Sequence, residues 1–378
     1  MTMSTEPWSR RRFLRTGTLL LGGLGIAPSL LAACGGDTGG GPNTLSVDSW
    51  PIYIDDDPET GTVARFAKAT GIKVAWNEVI NDTHEYFAKI QPQLSRGKTI
   101  SADIMTPTYW LVPRLIELGW LQKLPDFAHR ANLVPWLTKP SWDPTGEYSL
   151  PWQAGVTGIA YNRKAAGGDV TSMAQLLSPA LKGRVGVLTE MRDTVGLFML
   201  ADGKDPATAS FEAAQGAFAR LETATKDGQI RRFTGQDYLD DLVAGNFAAC
   251  VAWSGDAAQL AREDPNIGFA IPTEGGMRWA DCMVIPKGST HLDNAAKFMN
   301  FVYDPANAAH IAAAVQYISP VSGVADELRK MGDEQAALAD SAVLFPDAAT
   351  TARLHTFASL DEQEEARFEE AFSRISGG

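Results

Sequence analysis

Histidine and cysteine are scarce in this chain, at five and three residues of 378. The histidines stand apart at 84, 129, 291, 310 and 355, and neither CxxC nor HExxH spacing occurs. No metal site and no cofactor are therefore expected. A G-x-S-x-G elbow is also missing, which removes the usual signature of a serine hydrolase. Basic charge is short: Lys and Arg number 33 against 45 Asp and Glu, a net of −12. Phosphate backbones need a basic surface, so no nucleic-acid partner is expected. Beyond the N-terminal segment no apolar run is long enough to span a bilayer. What is present is a globular composition, 45% hydrophobic and 21% charged, at a length that suits two medium domains.

The N-terminus carries the clearest local pattern. Ser9-Arg10-Arg11-Arg12-Phe13-Leu14 is a basic, twin-arginine segment, an apolar run follows over 18–31, and Leu31-Ala32-Ala33-Cys34 places small residues before a cysteine. Residues 1–34 thus read as a Tat signal peptide with a lipobox, cut before Cys34, whose sulfur takes lipid and anchors the chain to a membrane. Residues 35–43 (GGDTGGGPN) read as a flexible tether. The leader has a net charge of +3 against −12 overall, which leaves −15 on the rest. Such a surface favours cationic ligands or serves solubility. Cys250 and Cys282 lie in apolar runs and read as free thiols.

Along the body, segments with strand and helix periods alternate. Strands are expected at 45–47, 72–79, 102–106, 185–188, 248–253 and 267–271, with long extended segments at 150–161 and 277–285. Helices are expected at 62–69, 83–94, 109–118, 172–177, 195–200, 206–225, 256–262, 294–303, 305–315 and 360–375. This order implies an α/β fold of two units, with the long extended segments crossing between them. Ligands of such sheets sit outside the carboxyl ends of the strands.

Aromatic and acidic residues gather at those ends. Trp50 and Tyr53 follow the first strand, Thr108 and Trp110 the third, and Glu190 and Asp193 the 185–188 strand. Trp253 and Asp256 follow the 248–253 strand, Trp279 and Asp281 open the 277–285 segment, and Tyr317 precedes the Pro320 turn. A hydrocarbon chain with ammonium ends needs carboxylates for its charges and flat apolar faces for its methylenes. The remaining tryptophans, 76, 120, 136, 142 and 152, suit core positions. A carbohydrate receptor also shows tryptophans and carboxylates, and Glu190 with Asp281 would suit a hydrolase acid/base pair.

Ser49-Trp50-Pro51-Ile52-Tyr53, Ala102-Asp103-Ile104-Met105-Thr106-Pro107-Thr108-Tyr109-Trp110, Val251-Ala252-Trp253-Ser254-Gly255 and Gly275-Gly276-Met277-Arg278-Trp279-Ala280-Asp281 occur in an order that resembles the spermidine/putrescine-binding periplasmic receptors, from Leu45 to about Ile375. The resemblance implies a type II periplasmic-binding-protein fold, two α/β lobes with a hinge and an interlobe cleft. It places lobe 1 at 44–155 plus 280–325 and lobe 2 at 156–279 plus 326–378. Carried over, Trp50, Tyr53, Trp110, Trp253, Trp279 and Tyr317 are aromatic walls. Glu190, Asp193, Asp256 and Asp281 are carboxylates for ammonium groups, and Thr108 is a hydroxyl contact. Pro51 and Ile52 stand where these receptors often have polar or acidic residues. The chain is expected to be no enzyme but a monomeric, lipid-anchored, extracytoplasmic binding protein that delivers a linear polyamine to an ABC permease. A receptor for another small cationic or polar solute, such as a sugar or amino-acid derivative, is the second reading.

Overall fold

The computed structural model describes residues 41–377. The expected Tat leader, the lipid acceptor Cys34 and residues 35–40 of the tether lie outside the described residues. No helix among the described residues is long and apolar enough to cross a membrane.

The described strands are β1 (Thr44–Ser49), β2 (Lys73–Glu78), β3 (Ile104–Met105), β4 (Leu121–Gln122), β5 (Ser149–Asn162), β6 (Val185–Leu188), β7 (Ile230–Thr234), β8 (Ala249–Trp253), β9 (Ile267–Ala270), β10 (Gly276–Pro286) and β11 (Leu354–His355). They join in the order β2-β1-β3-β10-β5-β8-β6-β7, with β4 and β11 against β10 and β9 against β5. At one end β2, β1 and β3 are parallel, and at the other β7, β6 and β8 are parallel. Helices connect the parallel strands, as a crossover requires.

The two long segments at 150–161 and 277–285 become β5 and β10, which run antiparallel through the middle. Each serves both ends. Val284 of β10 pairs with Met105 of β3, whereas Met277 pairs with Thr157 of β5 and His355 of β11. Thr157–Tyr161 of β5 pairs with β8. Every residue of β5 is buried, which is why it reads as a continuous apolar run and not as an alternation.

Helix boundaries follow local chemistry. Asp82 accepts a hydrogen bond from the Glu85 amide and caps Thr83–Leu94, while Gly71, at φ 73°, ends Thr62–Thr70. The stretch expected as one helix over 206–225 is a short 3-10 turn (Pro206–Thr208) and a separate helix (Phe211–Lys226), because Ser210 caps the second anew. The helix expected at 195–200 starts earlier, as Met191–Ala201. β7 and the helix Tyr238–Val243 were not anticipated: Arg231 and Arg232 interrupt the apolar pattern of an edge strand whose outer positions are exposed. Cys250 and Cys282 are buried free thiols.

Candidate functional site

Strand ends and helix starts converge on one cleft. Trp50 and Tyr53 leave β1, Thr108 and Trp110 leave β3, and Trp253 ends β8 and caps Ser254–Glu263. Glu190 follows β6 and stands at the N-terminus of Met191–Ala201, with Asp193 in its first turn. That terminus favours negative charge. A register shift between Asp281 and Cys282 interrupts the β10–β5 ladder, and Thr108 pairs with Asp281 across an isolated bridge. A bulge of this kind re-aims a side chain, here Asp281, toward the cleft.

Ten of the eleven expected ligand-binding residues line the same space: Trp50, Tyr53, Thr108, Trp110, Glu190, Asp193, Trp253, Trp279, Asp281 and Tyr317. Its empty volume is about 510 Å³, counting its open mouth. Asp256 is not among the lining residues. It is fully buried behind the wall, where its carboxylate accepts hydrogen bonds from Tyr317 (2.6 Å), Tyr238 (2.8 Å) and Gln236 (3.2 Å). Its contact with the cleft passes through Tyr317 and Gln236. Of the tryptophans assigned to the core, Trp142 and Trp152 are buried, but Trp136 is 43% exposed.

The walls form a continuous set of rings. Trp50 meets Trp253 edge-on at 5.6 Å, Trp253 meets Trp279 at 6.3 Å, Trp279 tilts against Tyr317 at 5.6 Å, and Tyr317 meets Tyr53 at 5.1 Å. Two glycines make room for this. A Cβ on Gly155 would lie 2.4 Å from the Trp279 ring, and one on Gly255 would lie 2.4 Å from the Tyr317 ring. Ile52 takes φ 47°, a left-handed conformation that a β-branched residue rarely adopts, and so turns the chain between Trp50 and Tyr53.

The carboxylates are held by neutral donors. Asp281 Oδ2 accepts from the Tyr53 hydroxyl at 2.6 Å, and its Oδ1 is buried without a partner. Asp193 accepts from the Trp253 indole at 2.8 Å. Glu190 accepts from the Thr83 amide at 3.1 Å and the Trp110 indole at 3.3 Å. Burial pushes Asp281 up to about 7 against the Tyr53 hydrogen bond, and Asp193 up to about 6 against the Trp253 bond. Burial also lifts Asp256 to about 6, and Glu190 is raised well above the usual carboxylate range by burial and then by Asp82. Arg192 already acts against this on Glu190 and Asp193, and a cation in the cleft would favour the ionised form of the carboxylates that line it.

The two ends of the sheet touch across the cleft. Thr189, beside β6, donates to Asp82 at 2.7 Å, and the Glu190–Thr83 bond spans the same gap. Gln236 reaches the Pro51 carbonyl at 3.4 Å, and Gly235 packs so closely on Asn81 that its Cβ would lie 2.5 Å from the amide. These contacts bridge the two sides of the cleft.

Sequence reasoning missed Tyr109, Arg192, Gln236, Met277, Arg278 and Phe357, which also line the space. Arg192 pairs with Glu365 and lies 4.3 Å from the Trp110 ring. His84, Glu365 and Glu369 bring ligand atoms within 4.8 Å of one another, the one such grouping among the described residues. Arg192 already supplies Glu365 with a cation there.

Comparison with known proteins agrees with this architecture. The family model for bacterial extracellular solute-binding protein matches residues 61–339. The putrescine-binding periplasmic protein of Escherichia coli is 28% identical over 377 residues, covering 93% of this chain and 96% of its own. The spermidine/putrescine-binding periplasmic protein of the same organism is 26% identical, covering 91% and 92%. Among solved structures, the spermidine/putrescine ABC transporter substrate-binding protein of Streptococcus pneumoniae superposes with a TM-score of 0.71 at 23% identity, covering 89% of this chain and 99% of that one. The fold is thus that of the periplasmic binding proteins, two α/β lobes about a hinge with a cleft between them.

Proposed function

This chain belongs to the bacterial extracellular solute-binding protein family, and we propose that it captures a linear polyamine, putrescine or spermidine, and delivers it to an ABC permease. One observation carries the reading. Asp193 and Asp281 face an aromatic box and are buried, their hydrogen-bond donors are neutral, Arg192 is the cation that acts on Asp193, and Asp281 Oδ1 is buried without a close hydrogen bond. An ammonium at each end of a slim hydrocarbon supplies the missing charge, and the indoles cover the methylenes. Each good cation–π contact adds about 0.5–2 kcal/mol once desolvated. The relatives named above are polyamine-binding by name, which supports the same ligand class.

In this reading lobe 1 comprises 44–155 plus 280–325, and lobe 2 comprises 156–279 plus 326–378. The lobes close about β5 and β10. Closure expels water and strengthens each ammonium–carboxylate contact. No bond is made or broken. The twin-arginine segment and Cys34 make the chain an exported lipoprotein whose tether holds a monomeric body outside the membrane.

Calorimetric titration with putrescine, spermidine and spermine tests the assignment. Saturable heat with at least one of them is expected. A flat response to all three, alongside binding of a neutral sugar, would overturn it.

A further inference from the structure

Gln236 lines the cleft and leaves one atom of its amide unused. It follows β7, is 6% exposed and borders the same space as Trp50, Tyr53 and Tyr317. Its Nε2 donates to both oxygens of Asp256, each at 3.2 Å, and reaches the Pro51 carbonyl at 3.4 Å. All of these partners are acceptors, which settles which end of the amide is nitrogen. The other end, Oε1, is buried and makes no hydrogen bond.

Asp256 is fully buried behind the wall, and Tyr238 and Tyr317 donate to it as well. The Gln236 nitrogen is therefore spent on the layer behind the cleft and on the turn between Trp50 and Tyr53. The oxygen is what the amide has left for the space that the residue borders. A buried amide oxygen without a donor is unfavourable, and an ammonium N–H is a strong donor for it.

Resting on the polyamine reading above, the geometry points to Gln236 as a specificity-determining contact whose Oε1 accepts an N–H from one ligand nitrogen. That nitrogen meets a neutral carbonyl, whereas Asp193 and Asp281 balance the charge of the amine. Asp256 acts through Gln236, holding the amide with its oxygen toward the ligand. The bond from Nε2 to Pro51 then puts the ligand contact and a contact across the cleft on one side chain.

The test compares Gln236→Met with Gln236→Glu, by calorimetric titration with putrescine and spermidine and by melting temperature without ligand. Both variants lose the Nε2 bonds to Asp256 and Pro51. Glu keeps an acceptor oxygen in the place of Oε1, and Met does not. Glu also sets a carboxylate against Asp256, so its ligand-free melting temperature should be the lower of the two. Its amine affinity should nonetheless be the higher: Met is expected to raise Kd about tenfold, and Glu to recover most of that loss. A purely structural role would put stability and affinity in the same order. Met binding the amines as tightly as Glu would overturn the inference and leave the polyamine reading standing. A crystal structure of the wild-type chain with the tighter-binding amine separates direct contact from the added charge of Glu, and decides alone if that variant does not fold. A ligand nitrogen within hydrogen-bond distance of Gln236 Oε1 is expected there, and water in its place would overturn the inference. A wild-type chain that binds neither amine would overturn both.

Discussion

Asp281 concentrates the chemistry at the residue scale. It is one of the cleft-lining carboxylates, a β-bulge aims it, and one of its oxygens is unsatisfied. Asp281→Asn keeps the shape and removes the charge. Hydrogen bonds to charged groups contribute about 1.5–3 kcal/mol, so polyamine affinity should fall roughly 10- to 150-fold by calorimetry. Acidity gives a second prediction. The folded values of Asp193 and Asp281, about 6 and about 7, lie above the unfolded carboxylate value of about 4. The folded, ligand-free chain thus holds protons that the unfolded chain has released. The stability from these groups is full below about pH 4 and is lost as the pH rises toward about 7. Ammonium binding needs the ionised forms, so affinity should move the opposite way. Melting temperatures from pH 5 to 8 without ligand should fall relative to those with ligand, and affinity should rise over the same range. Parallel trends would contradict the account.

The aromatic positions were legible at this scale because strand ends are legible: Trp50, Trp110, Trp253 and Trp279 lie where the alternation of strands and helices puts a ligand. Arg192 was not. A lone arginine among apolar residues looks the same in sequence whether it snorkels to solvent or turns into a cleft. Asp256 was read as a ligand contact from its place after Trp253. It instead sits one layer back, because Tyr238 and Tyr317 cap both its oxygens.

Among elements, the turn from β8 into Ser254–Glu263 has the least freedom. Gly255 lies against the Tyr317 ring, and Tyr317 in turn bonds Asp256, the next residue of the same turn. Overpacking a tight site costs about 1–3 kcal/mol. Gly255→Ala is therefore expected to lower the unfolding free energy by about that much and to weaken ligand binding, read together from denaturant melts and titration. A fully stable, fully binding Gly255→Ala chain would show that Tyr317 is not held as described. The long strands β5 and β10 were readable as elements because burial on both faces leaves near-unbroken apolar runs. β7 was not readable, because its exposed Arg231 and Arg232 mask an edge strand.

For the molecule as a whole, the proposed capture mechanism requires that closure be driven by ligand and not by the lobes alone. Among the described residues, Thr189 to Asp82 is one of the direct bonds that cross the cleft. Thr189→Val removes that bond and keeps the shape. A hydrogen bond contributes about 0.5–1.5 kcal/mol, so apparent affinity should fall roughly two- to twelvefold, with a larger radius of gyration in ligand-free solution scattering. The two-lobed plan was accessible from sequence through the order of elements. The contact between the Thr189 turn and the Asp82 turn was not, since it joins residues 107 positions apart with no pattern linking them.

The most direct measurement of ligand capture is a crystal structure grown with spermidine. The account predicts extended density between the Trp253 and Trp279 rings, with a nitrogen within hydrogen-bond distance of Asp281 Oδ1. An amine bound elsewhere on the surface, with water filling that space, would contradict it.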